Sequence, residues 1–179
     1  MSRRESLAER RAARAAIDDP QVVFDAALRF LEARSRSVAE VRRRLASAGY
    51  RPELIEGACE RLVGLGLLDD EAFAQAWIES RDRARPRGEL ALRRELGLKG
   101  VDRTLVDELL GARREEAPEV DAAAAERLLA KHARTLERVA DPRARRQRAY
   151  ALLARNGFDP GTCSAASAAF VREVEASPD

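Results

Sequence analysis

With 179 residues, 45 % of them apolar, the chain is long enough for one ordinary domain or a short array of small units, each with its own core. Its 33 basic and 31 acidic residues nearly cancel, so net charge singles out no partner, and only the placement of charge can. With no apolar run of about eighteen residues and no signal-like apolar segment after Met1-Ser2-Arg3-Arg4-Glu5, the composition predicts a cytoplasmic protein without membrane spans.

Residues 1–20 read as a charged extension closed by Asp18-Asp19-Pro20. A first three-helix repeat is expected over 21–67. Val23, Ala27, Phe30 and Leu31 make its first apolar stripe, and Ser37-Val38-Ala39-Glu40 is a capping box that opens a helix whose apolar positions are Val38, Val41, Leu45 and Ala48. Leu54, Ile55, Ala58, Cys59 and Leu62 form the third stripe. A second repeat, 68–114, starts where Asp69, Asp70 and Glu71 crowd a helix N-terminus, and Phe73 and Trp77, four apart, are expected to be buried together. Leu92 and Leu96 face inward on its middle helix, and Leu105, Val106, Leu109 and Leu110 make the apolar face of its last. The proline and glutamates of 115–121 predict a linker. A third repeat, 122–176, has a middle helix that starts at Asp141-Pro142 and a last helix through Cys163, Ala166 and Phe170.

A repeated punctuation ties these segments together. Leu45 to Gly49-Tyr50, Leu96 to Gly100-Val101 and Leu153 to Gly157-Phe158 each place an apolar residue four before a glycine and a second apolar residue after it. Glycine closes a helix in the left-handed conformation without a Cβ penalty, so each instance reads as helix, stop, helix. Aligned on these glycines, Gly88 falls in register with the Ser37 cap. The pattern predicts an all-α protein of tandem three-helix bundles, elongated and curved.

Catalysis needs converging groups, and few are available. His132 is the single histidine and Cys59 and Cys163 are far apart in sequence, which argues against zinc and against a disulfide. There is no Gly-rich phosphate loop and no nucleophile elbow. No catalytic residue, metal or cofactor is expected. The candidate binding residues are basic: Arg42 and Arg43 beside Arg44 on one middle helix, Arg93 and Arg94 at the matching place on the next, and Arg146 and Arg148 near it on the third. Arg81, Arg83, Arg85 and Arg87 alternate before Gly88, and Lys99 follows. A stripe of this kind would track a phosphate backbone or an acidic protein groove. It would equally be a solvated face paired with Glu32, Glu40, Glu89 and Glu95. The dominance of Arg over Lys is first explained by a GC-rich genome, and it also suits forked recognition of phosphate or carboxylate.

The string Gly66-Leu67-Leu68-Asp69-Asp70-Glu71-Ala72-Phe73-Ala74, followed by Arg81, Gly88, Glu95-Leu96 and Lys99-Gly100-Val101, resembles the central signature of the bacterial RecX proteins. Ser37-Val38-Ala39-Glu40 with Leu45 and Gly49-Tyr50 resembles the first-repeat pattern of that family, so the likeness spans about residues 22–111. The resemblance implies a crescent that acts as a monomer, binds RecA, lodges in the groove of the RecA–DNA filament and restrains filament growth, ATP hydrolysis and strand exchange. It marks Asp69, Asp70, Phe73, Gly88, Leu96 and Gly100 as motif positions. The sequence departs from the pattern at Gly161-Thr162-Cys163-Ser164 and the following alanines, which make the last helix a weak former. The other reading of the basic residues is a module that binds single-stranded or duplex DNA directly.

Overall fold

A computed structural model describes residues 6–176, so the first five residues of the expected 1–20 extension lie outside the described residues. All regular structure in the described residues is helical: α1 (Leu7–Ala15), α2 (Pro20–Leu31), α3 (Val38–Ala48), α4 (Pro52–Gly64), α5 (Asp70–Ala84), α6 (Glu89–Lys99), α7 (Arg103–Glu116), α8 (Val120–Glu137), α9 (Pro142–Arg155) and α10 (Pro160–Ala176). The chain divides into two compact units, one comprising residues up to Phe73 together with Lys99–Val101, the other Ala74–Leu98 and the residues from Asp102 onward.

In the first unit, α2, α3 and α4 pack on one another around Val23, Phe24, Ala27, Val41, Leu45, Ile55, Cys59 and Leu62. Local chemistry sets the ends of these helices. Asp19 accepts from the Gln21 amide ahead of Pro20, and Ser37 with Glu40 completes the capping box. At the other end of α3, Gly49 adopts φ 104°, its amide reaches the Ala46 carbonyl and the Tyr50 amide returns to the Leu45 carbonyl. This paired closure brings the residue after the glycine back over the one four before it. That explains why apolar residues flank each stop. The helix α1 has no buried residue and touches α3.

In the second unit, α8, α9 and α10 pack around Ala124, Ala125, Leu128, Leu129, Ala149, Leu153, Phe158, Cys163 and Phe170. Asp141 caps α9 through the Arg143 and Ala144 amides, at the expected Asp-Pro start. The remaining apolar positions of α5, α6 and α7, namely Ala74, Ile78, Leu92, Leu96, Val106 and Leu110, are also buried. Phe73 is buried as expected, whereas Trp77 is only half-buried. Its indole N–H needs a partner, and it finds one at the Glu95 carboxylate, 2.9 Å away, which holds the ring at the boundary of the core.

Two segments are more helical than their sequence suggests. The run Glu115-Glu116 continues α7 and Asp121 lies inside α8, leaving only Ala117, Pro118 and Glu119 between the helices. The cause is Arg113, whose guanidinium binds Asp82 of α5 and Asp121 of α8, each at 2.8 Å, and so fixes both ends of the gap. The Ala-rich last helix forms over its whole described length because Cys163, Ala166, Phe170 and Val171 are buried. Packing of one face outweighs weak intrinsic propensity.

Candidate functional site

The start of a middle helix is built twice in the same way. In the first unit, the Ser37 hydroxyl accepts from the Glu40 amide at 3.1 Å and donates to the Lys99 carbonyl at 2.6 Å, while the Val38 amide donates to Asp70 at 2.9 Å. Gly100, at φ 81°, lies so close to Ala39 that an added Cβ would collide with that side chain. In the second unit, Gly88 stands where Ser37 stands in the first. Its amide donates to the Asn156 carbonyl at 3.1 Å, the Leu90 amide donates to the Gly157 carbonyl, and the Glu89 amide donates to Asp121 at 3.1 Å. Gly88 has no room for a side chain, because the backbone of Gly157 and Phe158 occupies that space. Each middle helix therefore starts against a left-handed glycine and is capped by an aspartate one repeat-segment ahead in sequence. Asp69 alone caps α5, through the Glu71 and Ala72 amides, and Asp70 serves α3 instead.

Most of the sequence-predicted basic residues are held in ion pairs. In the first unit, Arg42 forms a fork on Glu56 with contacts of 2.6–2.9 Å, Arg43 donates to the Lys99 carbonyl, and Lys99 joins Arg34 on Glu40, each at 2.9 Å. Burial pushes the Glu40 carboxyl up, but hydrogen bonds from Arg34, Lys99 and the Ser37 amide outweigh it and bring the pKa down to about 2.

In the second unit, Arg81 stacks over Trp77 and donates to Glu95 at 2.6 Å, and Arg87 reaches the same carboxylate at 3.3 Å and also bonds Asn156. Arg83 pairs with Glu79, and Arg93 with Glu89 and Asp107. Arg113, which sequence reading passed over, is the most enclosed of these pairs. Burial works against its charge, but Asp82 and Asp121 hold it protonated. Arg85, Arg94 and Arg148 are exposed and make no ion pair among the described residues, and Arg146 touches only the Ser164 hydroxyl, at 3.4 Å.

Of the acids expected to pair with these charges, Glu40 holds Lys99, Glu89 holds Arg93 and Glu95 holds Arg81 and Arg87, while Arg42 and Arg83 pair instead with Glu56 and Glu79. Neutralising Arg81, Arg87 and Lys99 together would strip Glu95 and Glu40 of their counter-charges, so that substitution is a poor probe of binding. Cys59 and Cys163 are buried free thiols that burial pushes up in pKa, as their apolar settings predict. His132 is exposed. Among the described residues no cluster of His, Cys, Asp or Glu is arranged to hold a metal ion, and no helix is long and apolar enough to cross a membrane.

Sequence reading also missed a buried arginine. Arg145 donates to the Val139 and Glu137 carbonyls and so satisfies the C-terminal end of α8. It missed a cleft between α1, α2 and α3 as well, where Arg14, Arg29 and Arg44 meet Phe30 and Tyr50. The adjacency of Arg29 to Phe30 was the available signal.

These features define a tandem-repeat protein of three-helix domains joined through recurrent polar caps and left-handed glycines. Residues 24–62 match the family model for the first three-helix domain of RecX, and residues 69–110 the model for the second. The chain is 36 % identical over 141 residues to the regulatory protein RecX of Chlorobium phaeobacteroides (strain BS1), an alignment that covers 79 % of this chain and 88 % of that one. It is 39 % identical over 98 residues to the regulatory protein RecX of Mycobacterium avium (strain 104), covering 52 % of this chain and 57 % of the relative. A crystal structure of a regulatory protein RecX superposes with a TM-score of 0.72 at 26 % identity, covering 84 % of this chain and 74 % of the other. The chain belongs to the RecX family of regulatory proteins.

Proposed function

We propose that this protein regulates RecA by binding the RecA–DNA filament and restraining its growth, ATP turnover and strand exchange. The observation that carries the reading is the 36 % identity over 141 residues, 79 % of this chain and 88 % of a regulatory protein RecX, together with the two matched RecX domains. The physical basis is avidity. A filament groove repeats along its length, and a protein with repeated domains can place equivalent contacts on successive protomers without any one tight site. Bridging protomers changes their relative motion, so nucleotide turnover falls without contact at the active site.

In this reading the protein is a cytoplasmic monomer without catalytic groups, built from repeats at 21–67, 68–114 and 122–176. Its partner-facing charges are those not already satisfied internally. Arg85, Arg94 and Arg148 are the candidates, because their guanidinium groups are exposed and unpaired among the described residues. Exposed charges of this kind contribute about 1 kcal/mol each to a contact and also speed encounter.

The combined variant R85A/R94A/R148A is expected to keep the wild-type melting curve and to lose most of its co-sedimentation with preassembled RecA filaments. Wild-type binding by the folded variant would show that these three residues do not face the filament.

A further inference from the structure

We propose that the first unit carries a phosphate-binding cleft, formed by Arg14 of α1, Arg29 of α2 and Arg44 of α3 around Phe30 and Tyr50. The site is separate from the filament-facing charges and does not rest on the RecA reading. The cleft has a volume of about 250 Å³, and its eight lining residues include three arginines and no carboxylate. Elsewhere in this unit arginines are matched with acids, as Arg42 is with Glu56, Arg51 with Asp18 and Arg34 with Glu40. Arg14, Arg29 and Arg44 form no ion pair among the described residues. Three guanidinium groups converging without a counter-charge repel one another, and an anion among them removes that cost.

The aromatic rings set the orientation. The Arg44 guanidinium lies 5.7 Å from the Phe30 ring centroid and that of Arg14 lies 5.8 Å from Tyr50. A guanidinium over an aromatic face is attracted to it, while its N–H edges stay available for forked hydrogen bonds. Arg36 stacks on the same Phe30 at 4.1 Å, and its Nε is buried without a hydrogen-bond partner. Arg14 also donates to the Ala48 carbonyl at 3.3 Å, which screens the negative end of α3 from an incoming anion. A carboxylate offers two oxygens, enough for two forks. Three arginines match the larger oxygen set and higher charge of a phosphate group, carried on a nucleic-acid backbone or free in solution.

Two measurements on the full-length chain test this. In the first, anisotropy of a labelled oligothymidylate is followed against salt for the wild type, R29Q/R44Q, R29K/R44K and the charge-matched control R134Q/R143Q, whose arginines are exposed on α8 and α9. R29Q/R44Q is expected to bind about tenfold or more weakly. Its log–log salt slope is expected to become shallower by about 0.7, the value for one phosphate of a single strand. R29K/R44K, which keeps the charge and loses the forks, is expected to fall between.

In the second, inorganic phosphate is compared with chloride at matched ionic strength for its effect on the melting temperature. Stabilisation of the wild type that R29Q/R44Q loses and the control keeps supports the cleft. If the oligonucleotide arm shows no binding, that stabilisation assigns the cleft to free phosphate, and no binding in either arm overturns the proposal. Equal loss in R29Q/R44Q and the control, with no phosphate-specific stabilisation, overturns the proposal. So does an unchanged oligonucleotide affinity accompanied by selective loss of binding to a polyglutamate peptide. Circular dichroism of each variant separates loss of a site from loss of the fold.

Discussion

A Gly157→Ala variant is expected to lose about 2–5 kcal/mol of unfolding free energy, read from denaturant or thermal melts. Two costs combine. Gly157 stands at φ 82°, a conformation that costs a residue bearing a Cβ about 1–2 kcal/mol. The added methyl group would also enter space held by the backbone and Cβ of Ala91 in α6, and overpacking of this kind costs about 1–3 kcal/mol. The neighbour cannot yield easily, since the Leu90 amide is bonded to the Gly157 carbonyl and the Gly88 amide to that of Asn156. Gly66 supplies the control. It has φ 67° and nothing near its missing Cβ, so Gly66→Ala should cost only the conformational term. If the two variants melt alike, the close approach at Gly157 has no energetic weight.

The second large effect depends on pH. Glu40→Gln keeps the reciprocal capping bond to the Ser37 amide, because glutamine serves at that position, and removes only the charge. The carboxylate is mostly enclosed, 12 % exposed, and binds Arg34 and Lys99. Its folded pKa of about 2 lies below the ordinary 4.5, so the folded state favours the ionised form. The stabilisation is therefore complete above the ordinary value and is lost as the pH falls from about 4.5 toward 2. Allowing for partial solvation, Glu40→Gln should cost about 2–3 kcal/mol at pH 7, with the difference from wild type shrinking through that acid window. A difference that stays constant between pH 7 and pH 3 would show that the charge of Glu40 is not what matters.

What the sequence reveals here is local. The three glycine stops are legible because the left-handed closure needs glycine at one place and apolar residues on both sides of it, all within six positions. The caps at Ser37, Asp69 and Asp141 are legible for the same reason, as each bonds amides two or three residues away. Pairing of charge is not legible, because the partners lie far apart in the chain. Nothing near Lys99 in the sequence points to Glu40, and nothing near Arg113 points to Asp82. Asp70 looks like a second cap of α5 until the fold brings the Val38 amide to it. Trp77 has the spacing of a core residue, but its N–H and the neighbouring Arg81 and Glu95 draw it to the boundary. The arginine stripe was a pattern of residue type, and only the structure separates its satisfied members from Arg85, Arg94 and Arg148.

The central claim, that this RecX-family protein acts on the RecA filament, is tested most directly by RecA's DNA-dependent ATP hydrolysis. Filaments are assembled first on single-stranded DNA, and the protein is then added over a range of ratios. The expected result is a fall in hydrolysis rate at levels well below one chain per RecA protomer, because each bound chain restrains several neighbours. An unchanged rate with no association with the filaments would contradict the account.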